Sequence, residues 1–270
     1  MPPAADHEPP STFHLRRRTP GSFLLVPCPQ IGRAIRCQGQ LEAAAAVILV
    51  GCPLVSSILE QPLSIWYAWR EQPAGVQIQL LDQSPRRRRI GVYRVSYITP
   101  DFLVEMREGR KRLVEVKPSG KLARPDVQRK LAVAQAYAAA QGWTFHVVTE
   151  LHLLPCPLLS NLRLISRYRQ AQADPKAYAA LLERIADGPL SLRELLHHSC
   201  ERETTLHLLA NGRLDWNPVT APFAHSTLLY PGGTLPWDPF DSVWASSGCW
   251  TVAPSGSSVK RPPTSSSPAT

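Results

Sequence analysis

No run of 18 apolar residues occurs in the chain, and its start has no basic stretch followed by an apolar one, so neither a membrane-spanning helix nor a secretory leader is expected. The six cysteines, Cys28, Cys37, Cys52, Cys156, Cys200 and Cys249, form no C-x-x-C pair. Their scatter excludes a zinc knuckle and a small disulfide scaffold, and fits a reducing, cytoplasmic compartment. His197-His198 lacks a carboxylate or cysteine at metal-ligand spacing, so no zinc site is read there. Ser56-Ser57 and Ser119-Gly120 stand outside any nucleophile-elbow pattern. No G-x-x-x-x-G-K loop is present, so any ATP dependence would have to come from a partner.

Positive charge is what the chain has in excess. Thirty Lys and Arg against 21 Asp and Glu give a formal net charge of +9 over 270 residues, which leans toward a polyanionic partner, nucleic acid first. Arg86, Arg87, Arg88 and Arg89 concentrate that charge and are the candidate phosphate contacts, with a solvated loop as the plain alternative. The 27 prolines crowd at the ends. Residues 1–37 therefore read as a partly disordered N-terminal arm, 38–150 as an α/β domain, 151–230 as a smaller helical domain and 231–270 as a Pro/Ser-rich disordered tail, whose Trp237, Phe240, Trp244 and Trp250 are able to dock.

Within the α/β domain, QGQLEAAAAVILVG reads as a helix stopped by Gly51, with Leu41, Ala44, Ala45 and Ile48 on one face. Strand-like runs follow at 63–69, 76–81 and 90–97, and Trp66, Tyr67 and Trp69 are read as packing the sheet. A hairpin spans YITPDFLVEMREGRKRLVEVKP, then a helix closed by Gly142 and a strand at 144–148. Beyond Glu150 come four short helical runs, the third with a capping-box signature of Ser191 three residues before Glu194, and the extended piece RLDWN, the order of a winged helix-turn-helix. Arg163, Arg167, Arg169 and Arg193 lie there as candidate contacts or as solvated helix faces.

Alternation along the hairpin carries the chemistry. Val114 and Val116 alternate with Glu115 and Lys117, and Phe102 and Val104 alternate with Asp101 and Leu103, so both acids and the lysine share one face if the strands pair in even register. The expected pairing sets Asp101 opposite Lys117 and Leu103 opposite Glu115, around a three-residue loop at 108–110; a two-residue loop would split the acids between faces. Two carboxylates held so can bind a hard cation such as Mg²⁺ or Mn²⁺. An isolated E-x-K is also what the solvated face of an ordinary amphipathic hairpin looks like.

TPDFLVEMREGRKRLVEVKP resembles the PD-(D/E)XK nuclease signature, with Pro100-Asp101 and Glu115-Val116-Lys117 as its two blocks. Together with GQLEAAAAVIL, CPLVSSILEQP and GWTFHVVTE it resembles the N-terminal endonuclease domain of TnsA-type transposase subunits, and 158–227 resembles more loosely their C-terminal winged-helix region. The resemblance implies a restriction-endonuclease-like α/β core, a mixed sheet flanked by helices, followed by a smaller winged-helix-like domain. It assigns Glu42, Asp101 and Glu115 as ligands of Mg²⁺, with Mn²⁺ as a substitute, and Lys117 as the catalytic lysine; Glu60 is the rival for the helical acid. Its implied setting is the bacterial cytoplasm, cutting one strand at transposon ends alongside a TnsB-like DDE transposase and a TnsC-like AAA+ ATPase. A stand-alone restriction or repair nuclease, and a non-catalytic DNA-binding assembly subunit, are the alternatives.

Overall fold

The computed structural model describes residues 23–73, 75–86, 88–196 and 199–244 and the backbone of 259–260. The chain runs β1 (Leu24–Cys28), β2 (Arg33–Cys37), α1 (Gln40–Gly51), β3 (Val55–Glu60), β4 (Ile65–Gln72), β5 (Gly75–Leu81), β6 (Arg89–Ile90) and β7 (Tyr93–Ile98). Then come the hairpin β8 (Phe102–Met106) and β9 (Lys111–Val116), α2 (Pro125–Ala140) and β10 (Thr144–Val148). The remainder is α3 (Glu150–Leu153), α4 (Leu158–Ser166), α5 (Pro175–Ala186), β11 (Leu190–Ser191), α6 (Leu192–Leu195), α7 (Ser199–Ala210), β12 (Leu214–Asp215), β13 (Leu228–Pro231) and β14 (Val259–Lys260). No helix among the described residues is long and apolar enough to cross a membrane.

Two compact units divide these elements. The first contains Leu59–Val147 and β14. Its five-stranded sheet has the order β14-β5-β4-β7-β6, antiparallel except for the parallel β14–β5 pair, and is therefore mixed. Because side chains alternate along a strand, Ile65, Tyr67 and Trp69 of β4 fall on one face, where they are buried with Ile78, Leu80 and Ile98. Leu131, Ala134 and Ala138 of α2 join the same core, which continues into Leu113, Phe145 and Val147 of the neighbouring strands. Fully burying an aliphatic side chain contributes roughly 1.5–3 kcal/mol, so this layer is the main stabilising term of the unit. Helix α2 begins on Pro125 and gives way at Gly142, whose φ of +73° suits only glycine readily. β10, β9 and β8 form the second sheet in that order, with the Glu60 end of β3 beside β8.

The second unit takes Ser22–Ile58 and Val148–Ser247. Residues 24–37, placed by composition in an arm, form the antiparallel β1–β2 hairpin and bury Val26, Cys28, Ile35 and Cys37. Helix α1 is buried on most of its circumference, from Ala43 to Ala46 and from Ile48 to Val50. Gly51 does not stop it by a left-handed turn: it is the last helical residue, and a Cβ there would meet Leu162 Cδ2 of α4 at 2.8 Å. Close packing of α1 on α4 is what favours glycine, since any Cβ would force the Leu162 side chain to shift. Helices α5, α6 and α7 surround a core of Leu181, Ile185, Leu195, Leu206 and Leu209, and β11, β13 and β12 add a small antiparallel sheet. Ser191 and Glu194 form the capping box expected at the start of α6.

The units are thus built from non-contiguous segments, whereas the sequence boundaries at 38, 151 and 231 divide the chain linearly. The tail boundary also shifts: Phe240 and Trp244 are buried at 3% and 0% exposure, edge to face with ring centroids 5.1 Å apart. Trp250 lies outside the described residues. Trp244→Ala is expected to destabilise the protein by about 3–5 kcal/mol, as for other buried tryptophans, read as a shift in urea midpoint; an unchanged midpoint would return this segment to the tail.

Candidate active site

The β8–β9 register sets where the charged residues meet. Phe102 pairs with Val114, Leu103 with Leu113, Val104 with Arg112 and Glu105 with Lys111. One further step places Asp101 across from Glu115, so the expected pairings of Asp101 with Lys117 and Leu103 with Glu115 are each displaced by two residues. The cause is the turn. Met106 N–H donates to Arg110 O at 2.9 Å and Gly109 N–H to Met106 O at 2.8 Å, so the three-residue loop is 107–109. Gly109, at φ +84°, takes its last, left-handed position rather than its middle. A two-residue displacement preserves facing, and both acids and the lysine remain on one side.

Burial departs from the solvated-face alternative. Glu115 is 2% exposed and Asp101 8%, and β9 is buried from Arg112 to Val116. Lys117 Nζ lies 2.6 Å from Glu115 Oε1, 3.9 Å from Asp101 Oδ2 and 3.3 Å from Val116 O, with the lysine side chain 30% exposed. Val116 N–H donates to Asp101 Oδ2 at 2.6 Å, tying the start of one strand to the end of the other. Burial pushes the Asp101 carboxyl above its ordinary range, against the opposing pull of Lys117 and the Val116 amide. Two carboxylates converge on one ammonium inside the protein, an arrangement whose desolvation cost makes a structural purpose alone a poor explanation.

A residue that sequence reasoning passed over supports Asp101 from behind. Gln61 N–H donates to Asp101 O at 2.8 Å, and Gln61 has φ +44°, the one positive value outside glycine among the described residues. Glu60 precedes it, 2% exposed. The signal available was Glu60-Gln61-Pro62: a proline holds the residue before it out of the helical region, but nothing local announces a left-handed glutamine.

The other expected residues fall elsewhere. Glu42 belongs to the other unit, in the first turn of α1, where its Oε2 accepts from Gln38 N–H at 2.7 Å and so satisfies an amide at the helix start. Arg86, Arg88 and Arg89 are exposed; Arg87 and His197-His198 lie outside the described residues.

Two outcomes follow from this geometry. Gln61→Gly keeps the amide and relieves a left-handed Cβ, so it is expected to preserve or raise stability, whereas Gln61→Val should cost about 1–3 kcal/mol by urea unfolding; equal behaviour of the two would remove the conformational argument. Asp101 is also expected to oppose stability at neutral pH. Its raised folded pKa means that the native state binds the proton more tightly, so the penalty is absent well below the ordinary value of 3.8 and grows as pH rises from there through the raised value. Asp101→Asn should therefore melt higher than wild type in chelator at pH 7, with the difference shrinking toward pH 3; a difference that is flat or reversed with pH would contradict the assignment.

Residues 52–150 match the family described as TnsA-like endonuclease N terminal. No curated protein matches the chain. The matched span holds Glu60, Gln61, Asp101, Glu115 and Lys117 and begins beyond Glu42. Over this span the chain is similar to the N-terminal domain of TnsA-like endonucleases.

Proposed function

We propose that the protein is a Mg²⁺-dependent DNA endonuclese subunit of a Tn7-like transposition system, hydrolysing a phosphodiester at the Asp101–Glu115–Lys117 site. The observation that carries the reading is the pair of buried carboxylates facing one lysine amine on a rigid hairpin. Among the described residues no three His, Cys, Asp or Glu side chains group as a metal cage. The donor set still fits Mg²⁺, which is usually held by one or two carboxylates and completes its octahedron with water and substrate phosphate oxygens. Asp101 and Glu115 would hold it, and Mn²⁺ would substitute. Bound there, the ion would supply Lewis acidity toward the scissile phosphate and help to activate water.

The chain's own groups do the rest. The Val116 amide fixes the Asp101 carboxylate, leaving little reorientation to be made on binding. Lys117 is the standing counter-cation of the acids, and its partly exposed amine can donate to a phosphate oxygen or hold the attacking water. Glu42 enters the catalytic set through the family resemblance alone. Exposed Arg86, Arg88 and Arg89, with Arg87 beside them in sequence, would contact phosphates around the cut.

Cleavage of one strand at each transposon end, with a TnsB-like DDE transposase acting on the other and a TnsC-like AAA+ ATPase governing target use, is the setting that the TnsA-like domain supports. The helices α5, α6 and α7 interleaved with β11, β12 and β13 suit a winged-helix domain that contacts DNA or these partners.

Calorimetric titration with Mn²⁺ does not require the partners. Wild type is expected to bind and Asp101→Ala to lose binding, while Lys117→Ala binds but nicks transposon-end DNA about 10²–10⁴-fold more slowly in the presence of the transposase. Glu42→Gln weakening Mn²⁺ binding more than Glu60→Gln would support the helical acid; equal binding by wild type and Asp101→Ala would sink the ligand set.

A further inference from the structure

Outside the hairpin, three arginines gather on the α2-facing side of the five-stranded sheet. Trp69 of β4 pairs with Arg94 of β7, and Arg94 with Arg89 of β6, so the three side chains stand in one cross-strand row. Helix α2 adds Arg129, whose guanidinium lies 3.7 Å from the Trp69 ring centroid; that of Arg94 lies at 5.3 Å. The indole, 8% exposed, thus fixes two guanidiniums by cation–π contact. Arg129 Nε is buried and has no acceptor among the described residues. Neither Arg89, Arg94 nor Arg129 forms an ion pair among those residues, and Glu71, which lines a shallow cleft with Trp69 and Arg94, forms none with them.

Like charges placed directly opposite on neighbouring strands destabilise a sheet. The fold nevertheless holds Arg89 against Arg94 and brings in a third guanidinium, with Arg94 and Arg129 oriented by the Trp69 ring. The row covers two inter-strand steps, about 10 Å, too wide for one small anion and close to three nucleotide rises of a duplex strand. From Arg94 to Asp101 the chain extends at most roughly 23 Å, about seven such rises, so one duplex can reach both.

We propose that Arg94 and Arg129, braced by Trp69, and Arg89 beside Arg94 form a track for the phosphate backbone of the DNA on which the hairpin site acts. The track rests on the nuclease reading for the identity of its polyanion, and it extends the basic loop onto the sheet itself. It positions the duplex without reading its sequence, because guanidinium–phosphate contacts carry no base information.

The test uses the full chain and a fluorescein-labelled 30-bp duplex of arbitrary sequence, followed by anisotropy in chelator across a salt series. Arg94→Ala should lower the salt slope by about one, and Arg89→Ala/Arg94→Ala by about two, with affinity falling on the order of tenfold near 0.1 M salt. Arg94→Lys should keep the slope, and Lys176→Glu, on an exposed helix position of the other unit, should not reproduce the loss. Melting of Arg89→Ala/Arg94→Ala at or above the wild-type temperature, as expected once the repulsion is relieved, separates lost contact from lost fold. Unchanged slopes in both alanine variants, or no duplex binding by wild type, would overturn the track. Mn²⁺ titration of the same samples keeps the two readings apart: a wild type that binds DNA through these arginines but no Mn²⁺ would retain the track and fail the nuclease site, and intact Mn²⁺ binding with unaltered slopes would do the reverse.

Discussion

The hydrogen bond from Val116 N–H to Asp101 Oδ2, 2.6 Å long and out of water, is the constraint around which the rest of the first unit is arranged. It joins the residue entering β8 to the residue leaving β9, so neither strand can slide without exposing an unsatisfied amide and a stranded carboxylate. Glu115 and Lys117 then have only one place to go, and the ammonium comes to rest 2.6 Å from Glu115 Oε1. Taking carboxylates out of water costs several kcal/mol per ion before pairing, a burden that the α2 core and the sheet around Tyr67 and Trp69 must offset. The apolar layer is accordingly the support on which a strained polar site is held.

How much of this was legible follows from which forces act locally. Alternation along 101–104 and 114–117 placed both acids and the lysine on one face because side-chain period is a property of the strand itself. Gly142 and Ser191 marked helix boundaries for the same local reason. The register was misjudged by two residues because a three-residue loop accepts Gly109 in more than one place by sequence, and only the left-handed requirement of its last position selects 107–109. Depth was illegible: that Glu115 is covered depends on elements far along the chain, and an E-x-K on a surface hairpin would be spelled the same way.

Other features escaped because they arise from pairing at a distance. Arg94 beside Trp69, and Arg89 beside Arg94, become neighbours only when β4, β7 and β6 take their register. The burial of Trp244 and of the β1–β2 hairpin was hidden by composition, since proline-rich surroundings read as tail whether or not an aromatic side chain finds a pocket. Gln61 is the clearest instance: its left-handed backbone accompanies a hydrogen bond to the carbonyl of Asp101, a distant partner that local preference does not encode.

The second unit is made of two segments with the whole of Leu59–Val147 between them, and this has a consequence for biosynthesis. Helix α1 leaves the ribosome early, but Leu162, the side chain that Gly51 is shaped to receive, follows only about a hundred residues later, some 5–20 s at ordinary elongation rates. During that interval the apolar surface from Ala43 to Val50 has not yet met its α4 partner, while β4 to β10 emerge and can pair. The nascent chain can therefore form the hairpin that carries its acids before the α4-facing side of α1 is covered, and that side is the surface on which chaperone attention during translation would fall.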